Sequence, residues 1–240
     1  MIRNLRVAIG FLTRLPVSPP DIQPDDLGQS VKYFPLVGVI YGALTWGLLQ
    51  LLSRFFVPEI AAWLTVFGGA FLNGCIHWDG FSDTADGLGS NDPAKSLTIM
   101  KDSRLGAFGG MALIFLILGK IFAIKELLHV PLLTFIAVAV LSRWGMTVQI
   151  YTQPSVSQGL LKSFQIKNKL RDLLISTILM LILIGFAWPV NLLFLAFTLI
   201  VLLVIKPLIK KRFGGITGDI LGAVNELIEL VCLLGLIIRH

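Results

Sequence analysis

The chain has 240 residues, of which 55% are hydrophobic and only 14% charged. A soluble domain carries about 45–50% apolar and about 25% charged residues, so this composition, with a mean hydropathy of +0.84, excludes a soluble domain and points to an integral membrane protein. The net charge of +6 does not signal nucleic-acid binding, because the basic residues fall between apolar runs, where they set topology.

Residues 2–17, IRNLRVAIGFLTRLPV, place Arg3, Arg6 and Arg14 among Leu, Ile, Val and Phe. That pattern predicts an interfacial amphipathic helix whose long cations reach the headgroups. Arg14 interrupts the apolar part, so no cleavable signal peptide is expected. The following SPPDIQPDD reads as a loop rich in Pro and Asp.

Apolar segments are expected at about 35–56, 58–77, 105–124, 131–151, 173–188, 190–206 and 216–238. The fifth and sixth share a single break at Trp188–Asn191 and read as a tight helical hairpin. The stretch 154–172 reads as a mobile basic lid. The expected architecture is all-α: one membrane domain over 1–240, with an interfacial helix and cytoplasmic loop over 1–34 and a bundle of about seven transmembrane helices over 35–240. Cys75 and Cys232 lie in apolar context and imply no disulfide framework.

Charge orients this bundle. With the N-terminus cytoplasmic, the basic residues concentrate on the inner side, and Arg54, Lys120, Lys125 and Arg239 are left outside. This positive-inside bias predicts N-in, C-out. The acids after the second span then face the cytoplasm.

Those acids lie in NGCIHWDGFSDTADGLGSNDP, residues 73–93. If the second span continues as a helix through this motif, Asp79, Asp83 and Asp86 stand at i, i+4 and i+7 on one face. Three carboxylates with no interleaved cation repel unless a divalent ion neutralises them. Oxygen-only ligands point to Mg²⁺, with Mn²⁺ as a substitute. Gly80, Gly87 and Gly89 are expected to leave room for a phosphate ester. His77 is a candidate base or orienting group, and Trp78 reads as an interfacial aromatic.

Asp92 before Pro93 reads as a helix cap. Lys101 and Arg104, in KDSR, are candidates for holding phosphate oxygens. The last apolar segment carries Asp219, Glu226 and Glu229 on one side, with Asn225 nearby. Acids at that depth should face protein or water. The expectation is that Asp219 and Glu226 join the three aspartates in a site for one or two Mg²⁺, suited to phosphoryl displacement. Arg143 is their expected counter-ion or a phosphate ligand.

The stretches HWDGFSDTADGLG, IMKDSRLGAFG, SRW and GGITGDILGAVNELIEL, with FLTRLPV and YFPLVGVIYG, resemble the membrane-bound cobalamin synthase family, also called adenosylcobinamide-GDP ribazoletransferase. The similarity covers nearly the whole chain. It implies attack of the 3′-hydroxyl of α-ribazole, or of its 5′-phosphate, on the phosphate joining GMP to adenosylcobinamide phosphate. GMP leaves and the nucleotide loop is closed. It also implies Mg²⁺ and a bacterial plasma membrane with the site facing the cytoplasm. A homo-oligomer or a complex with other cobamide-assembly enzymes is compatible with it.

Asp83 to Gly87, DTADG, is also similar to the D-x-x-D-G core of CDP-alcohol phosphotransferases. Ser90 and Asn91 replace the Ala-Arg that follows in that pattern, and its later aspartate pair is missing at that spacing, so lipid-headgroup transfer ranks second. An ion-coupled transporter draws support from Glu226, Glu229 and Arg143 but lacks an inverted repeat. A scaffold for corrin-ring enzymes leaves the acidic faces unexplained.

Overall fold

The structure is a computed structural model that describes residues 2–156, 160–165, 170–185 and 190–238. The described residues are helical, and their only β-type pairing is a parallel bridge between Ser155 and Ile216. The proposed Trp188–Asn191 break, the middle of the proposed lid and Arg239 lie wholly or partly outside the described residues.

Helix α1 (Ile2–Leu12) buries Val7, Ala8 and Leu12. It packs on α2 (Pro24–Ser30) and α3 (Phe34–Leu52). Arg3 binds Asp26, Nη2 to Oδ2 at 3.0 Å, and Arg6 donates to the Val17 carbonyl at 2.8 Å. These two arginines therefore tie α1 to α2 and to the loop before it, where headgroup contact was expected. The Pro/Asp-rich segment contains α2, opened by Pro24 at its first position.

Four helical segments among the described residues are long and apolar enough to cross a membrane: Pro24–Leu52, Ala107–Glu126, Leu132–Thr152 and Leu192–Phe213. They belong to α2–α3, α7 (Ala107–Glu126), α8 (Leu132–Thr152) and α11 (Val190–Phe213). Helix α8 is the centre. It is buried along almost its whole length and packs against α3, α10 (Leu170–Gly185), α11 and α12 (Gly218–Leu236). Outward, α7 exposes Phe108, Met111, Phe115 and Phe122, and α11 exposes Leu203 and Val204. Such continuous apolar faces suit a lipid solvent.

The second apolar segment differs from its expectation. Helix α4 (Pro58–Leu72) stops, and α5 (Ile76–Gly87) leaves at 92°. The turn is made by Gly74 and Cys75, with φ of 63° and 59°. A left-handed backbone is natural for glycine but uncommon for cysteine. The acidic motif thus sits on its own twelve-residue helix, too short to span a bilayer and turned off the axis of α4. Asp79, Asp83 and Asp86 still share one helix face.

Small residues set a close crossing of α3 and α8. A Cβ on Gly38 would lie 2.6 Å from Ala139 O, and one on Gly42 would lie 2.7 Å from Ile136 Cα. Backbones in such contact gain dispersion energy where lipid offers no hydrophobic drive. Gly38→Ala should therefore destabilise by about 1–3 kcal/mol. Gly47→Ala, whose Cβ meets nothing within 4 Å, should not; thermal melts in detergent compare the two.

Candidate active site

Helix α5 lies across the N-terminal end of α12, and glycines on both sides let the backbones touch. A Cβ on Gly80 would fall 2.6 Å from Asp219 Cα and O, and one on Gly222 would fall 3.0 Å from His77 Cα. The space beside Gly80 is therefore filled by α12, where room for a phosphate ester was expected. Gly87 likewise faces packing, with Met100 at 2.8 Å and Phe213 at 3.0 Å from its added Cβ. Both glycines serve helix approach. The consequence for chemistry is direct: this contact carries Asp219, in the first turn of α12, up to the acidic face of α5.

Two helix N-termini meet that face. Asp86 accepts from the backbone N–H of Gly106 (Oδ2, 2.8 Å) and of Gly109 (Oδ1, 2.8 Å). Gly106 precedes α7 and has no capping side chain of its own; Asp86 supplies the cap from another helix. An added Cβ at Gly106 or Gly109 would come within 2.3–2.4 Å of an Asp86 oxygen. Gly106 and Gly109 of LGAFGG thus have a definite use. Asp86, expected as a ligand or catalyst, is the joint between α5 and α7. Just beyond Asp86, at the same end of α5, Arg212 holds the last turn, donating to Leu88 O at 3.2 Å and to the Asn91 side chain.

Asp79, Asp83 and Asp219 remain. Burial first, and then the charges of Asp79, Asp219 and Asp86, push the Asp83 carboxyl up to about 6. Asp219 feels Asp79 in turn and accepts from the Thr217 hydroxyl at 3.4 Å. Thr217 also caps α12, accepting from Ile220 N at 3.2 Å. Among the described residues, no three His, Cys, Asp or Glu side chains converge tightly enough to enclose a metal ion by themselves. The donor set is nevertheless all carboxylate oxygen. Mg²⁺ asks for few protein carboxylates and completes its shell with water and substrate phosphate.

Glu226 is not with the aspartates. It is 1% exposed, and its Oε2 is paired with Lys120 Nζ. Lys120 also reaches Glu229 Oε2 at 2.8 Å, and Glu229 Oε1 is paired with Arg143. Ser142 Oγ donates to that same oxygen at 3.3 Å. The Arg143 guanidinium stacks on the Tyr41 ring, 3.9 Å from its centroid. Two cations and two anions cancel inside the bundle, as buried charges must.

Arg143 is therefore a counter-ion, and its complete burial removes it from phosphate binding. Lys120 was expected on the outer side. It lies more than a turn inside α7, which runs on to Glu126. The signal for it was depth: α7 and α12 both begin at the acidic face, and Lys120 and Glu229 stand about 20 Å and about 17 Å along them at 1.5 Å per residue.

His77 joins the acids to this cluster. Its Nδ1 lies 3.0 Å from Asn225 Nδ2, 3.2 Å from the Asn73 amide and 3.7 Å from Glu226 Oε1. Its Nε2 is buried with no hydrogen-bond partner. A cavity of about 280 Å³ opens at this point, lined by His77, Asp79, Asp219 and apolar side chains of α1, α8, α9 (Leu160–Gln165) and α12.

The described part of the proposed lid is docked. Val156 N donates to Ile216 O at 3.1 Å, and Leu161 and Phe164 are buried. The phosphate candidates stand elsewhere. Lys101 is exposed, and the Arg104 side chain, 87% exposed, is held by Asp102 at 2.6 Å. Asp92 caps α6 (Pro93–Ile99), accepting from Ala94 N at 2.9 Å, as expected.

The cobalamin-5-phosphate synthase family model matches residues 4–237. The chain belongs to the cobalamin-5-phosphate synthase family. Relatives named adenosylcobinamide-GDP ribazoletransferase agree over nearly their full lengths. The Desulfitobacterium hafniense protein is 35% identical, covering 98% of this chain and 96% of the relative. The Brevibacillus brevis protein is 37% identical with 96% of each covered, and that of Shewanella pealeana 36% with 97% and 93%. No solved structure matches. Family membership makes the chain a transferase of cobalamin biosynthesis and ranks the lipid-headgroup and transporter readings below it.

Removing Lys120 strands a buried Glu226. Lys120→Met should cost about 3–5 kcal/mol, and Lys120→Met with Glu226→Gln should recover part of that loss. Thermal unfolding of the two variants beside the wild type measures it.

Proposed function

We propose that the chain transfers adenosylcobinamide phosphate from adenosylcobinamide-GDP to the 3′-hydroxyl of α-ribazole or its 5′-phosphate, releasing GMP. The observation that carries this reading is the meeting of Asp79, Asp83 and Asp219 beside one cavity at the α5–α12 crossing, in a chain of this family. In the reaction the acceptor oxygen bonds to the phosphorus of the cobinamide phosphate. The bond from that phosphorus to the bridging oxygen breaks, GMP departs with the electron pair, and the hydroxyl proton passes to a base.

Asp79, Asp83 and Asp219 are the residues to hold Mg²⁺, or Mn²⁺ in its place. A bound divalent ion neutralises pyrophosphate oxygens as charge shifts to the leaving group. The protein's own part is positional. Gly80 and Gly222 hold the acids together, Asp86 fixes α7 to them, and the buried cluster orients His77. His77 Nε2, or an aspartate at the cavity, takes the proton from the acceptor hydroxyl. Lys101 and Arg104, exposed and outside the cavity lining, would have to swing in from solution, Arg104 leaving Asp102, to reach the donor's phosphates.

The site is assigned to the cytoplasmic face of a bacterial plasma membrane, with the N-terminus inside and the C-terminus outside. The basic residues of the inter-helix segments support that orientation. With Lys120 withdrawn into the bundle, the outer side is poorer still in positive charge. About seven crossings follow if α4–α5, α10 and α12 accompany the four long apolar helices. Self-association, or docking with other cobamide-assembly enzymes, is compatible with this arrangement.

Purified protein in nanodiscs, given adenosylcobinamide-GDP, α-ribazole phosphate and Mg²⁺, should release GMP. Asp83→Asn should abolish release at saturating Mg²⁺ while the protein still elutes as folded. Wild-type rates in that variant would remove the aspartates from the reaction. Protons compete with the ion at Asp83. Its carboxyl is protonated below about 6, so the Mg²⁺ concentration giving half-maximal rate should rise steeply as pH falls through that value and level off above it.

A further inference from the structure

The cavity at the acidic crossing is built from five helices. Phe11 comes from α1, Met146 from α8, Leu161 and Phe164 from α9, and Leu221 from α12, with Ile76 beside them. Asp79, Asp219 and His77 supply the polar lining. The wall is fixed in place. Phe164 stands edge-on to Phe11 at 4.7 Å and to Phe34 at 5.9 Å between centroids. The Gln165 amide clamps α9 to the end of α8, donating to Ile150 O at 2.9 Å and to Gln153 O at 2.7 Å.

His77 gives a second, independent pointer. It is 2% exposed and lines the cavity. Its Nδ1 edge is turned to Asn225 and Asn73, while Nε2 has no partner. A buried polar atom left so is a net cost to the fold. A hydroxyl brought in by a ligand would satisfy it.

Resting on the reaction assigned above, we propose that this cavity receives the flat base of the acceptor nucleoside, with its sugar at Asp79, Asp219 and His77. Size decides between the two substrates. Pockets for whole drug-sized ligands run to about 300–1,000 Å³. At about 280 Å³ this one admits a bicyclic heteroaromatic ring and excludes a corrin macrocycle. Chemistry agrees, because aromatic and aliphatic side chains enclose most of the space, and the oxygens and the free nitrogen belong to residues of the acidic crossing. The donor, being far larger, approaches from outside. The nucleoside hydroxyl then meets the pyrophosphate at the cavity mouth, which orients the attack. Leu161 and Phe164 on α9 become the residues that gauge the width of the base.

The test uses the full chain in nanodiscs and measures KM for α-ribazole and for adenosylcobinamide-GDP separately, from GMP release. Leu161→Trp narrows the cavity and should raise KM for α-ribazole by about tenfold or more, as a misfitting apolar group does, with the donor's KM unchanged. Leu161→Ala widens it. It should raise kcat/KM for a tricyclic homologue of the benzimidazole nucleoside relative to α-ribazole by about tenfold, a gain that unfolding cannot mimic. A shift in the donor's KM alone, or unaltered acceptor preference in Leu161→Ala, overturns the proposal. Wild-type protein that releases no GMP overturns instead the reaction on which it rests.

Discussion

The whole site depends on one backbone contact. Gly80 of α5 lies against Asp219 of α12, and Gly222 of α12 lies against His77 of α5. No side chain separates the helices there. Acids that repel one another are thereby held on two elements that cannot drift apart without losing their closest packing. The positive ends of α7 and α12 point at the same place and offset part of the repulsion. A site of this kind is unstable electrostatically and stable sterically, which is compatible with the proposed centre for a cation and a phosphate ester.

Below that surface the same helices solve a different problem. Glu226 and Glu229 are buried, so each is matched by a cation on a neighbouring helix. The four charges bind α7, α8 and α12 into one block. Asn225 then links the block to His77. On the proposed reading Asp219, in the first turn of α12, serves chemistry, and the acids in its middle serve cohesion and orientation. Depth separates the two roles on a single helix.

Much of this was legible in the sequence. The i, i+4, i+7 aspartates, the Asp92–Pro93 helix start and Arg143 as a counter-ion all follow from local rules, and the structure has them so. Other features needed the third dimension. The 92° turn at Gly74–Cys75 was hidden because cysteine seldom adopts a positive φ. The glycines of the acidic motif look like an open phosphate cradle in one dimension, and only the packing of α12 on Gly80 and of Met100 and Phe213 on Gly87 shows that the space is filled. Lys120 looked like an end-of-span charge until α7 was aligned in depth with α12. Asp86 was grouped with its neighbours, because nothing local to it reveals that Gly106 and Gly109 lie on its two oxygens.

The central claim is that carboxylates from α5 and α12 serve one divalent ion. Electron paramagnetic resonance of Mn²⁺ titrated into the purified protein tests it most directly, with Asp83→Asn, Asp219→Asn and Glu226→Gln beside the wild type. The account predicts that both aspartate variants weaken Mn²⁺ binding by about tenfold or more, the scale of a lost ligand or its support, while Glu226→Gln retains it. Wild-type Mn²⁺ affinity in Asp219→Asn would mean that the two helices meet without sharing an ion, and would contradict the account.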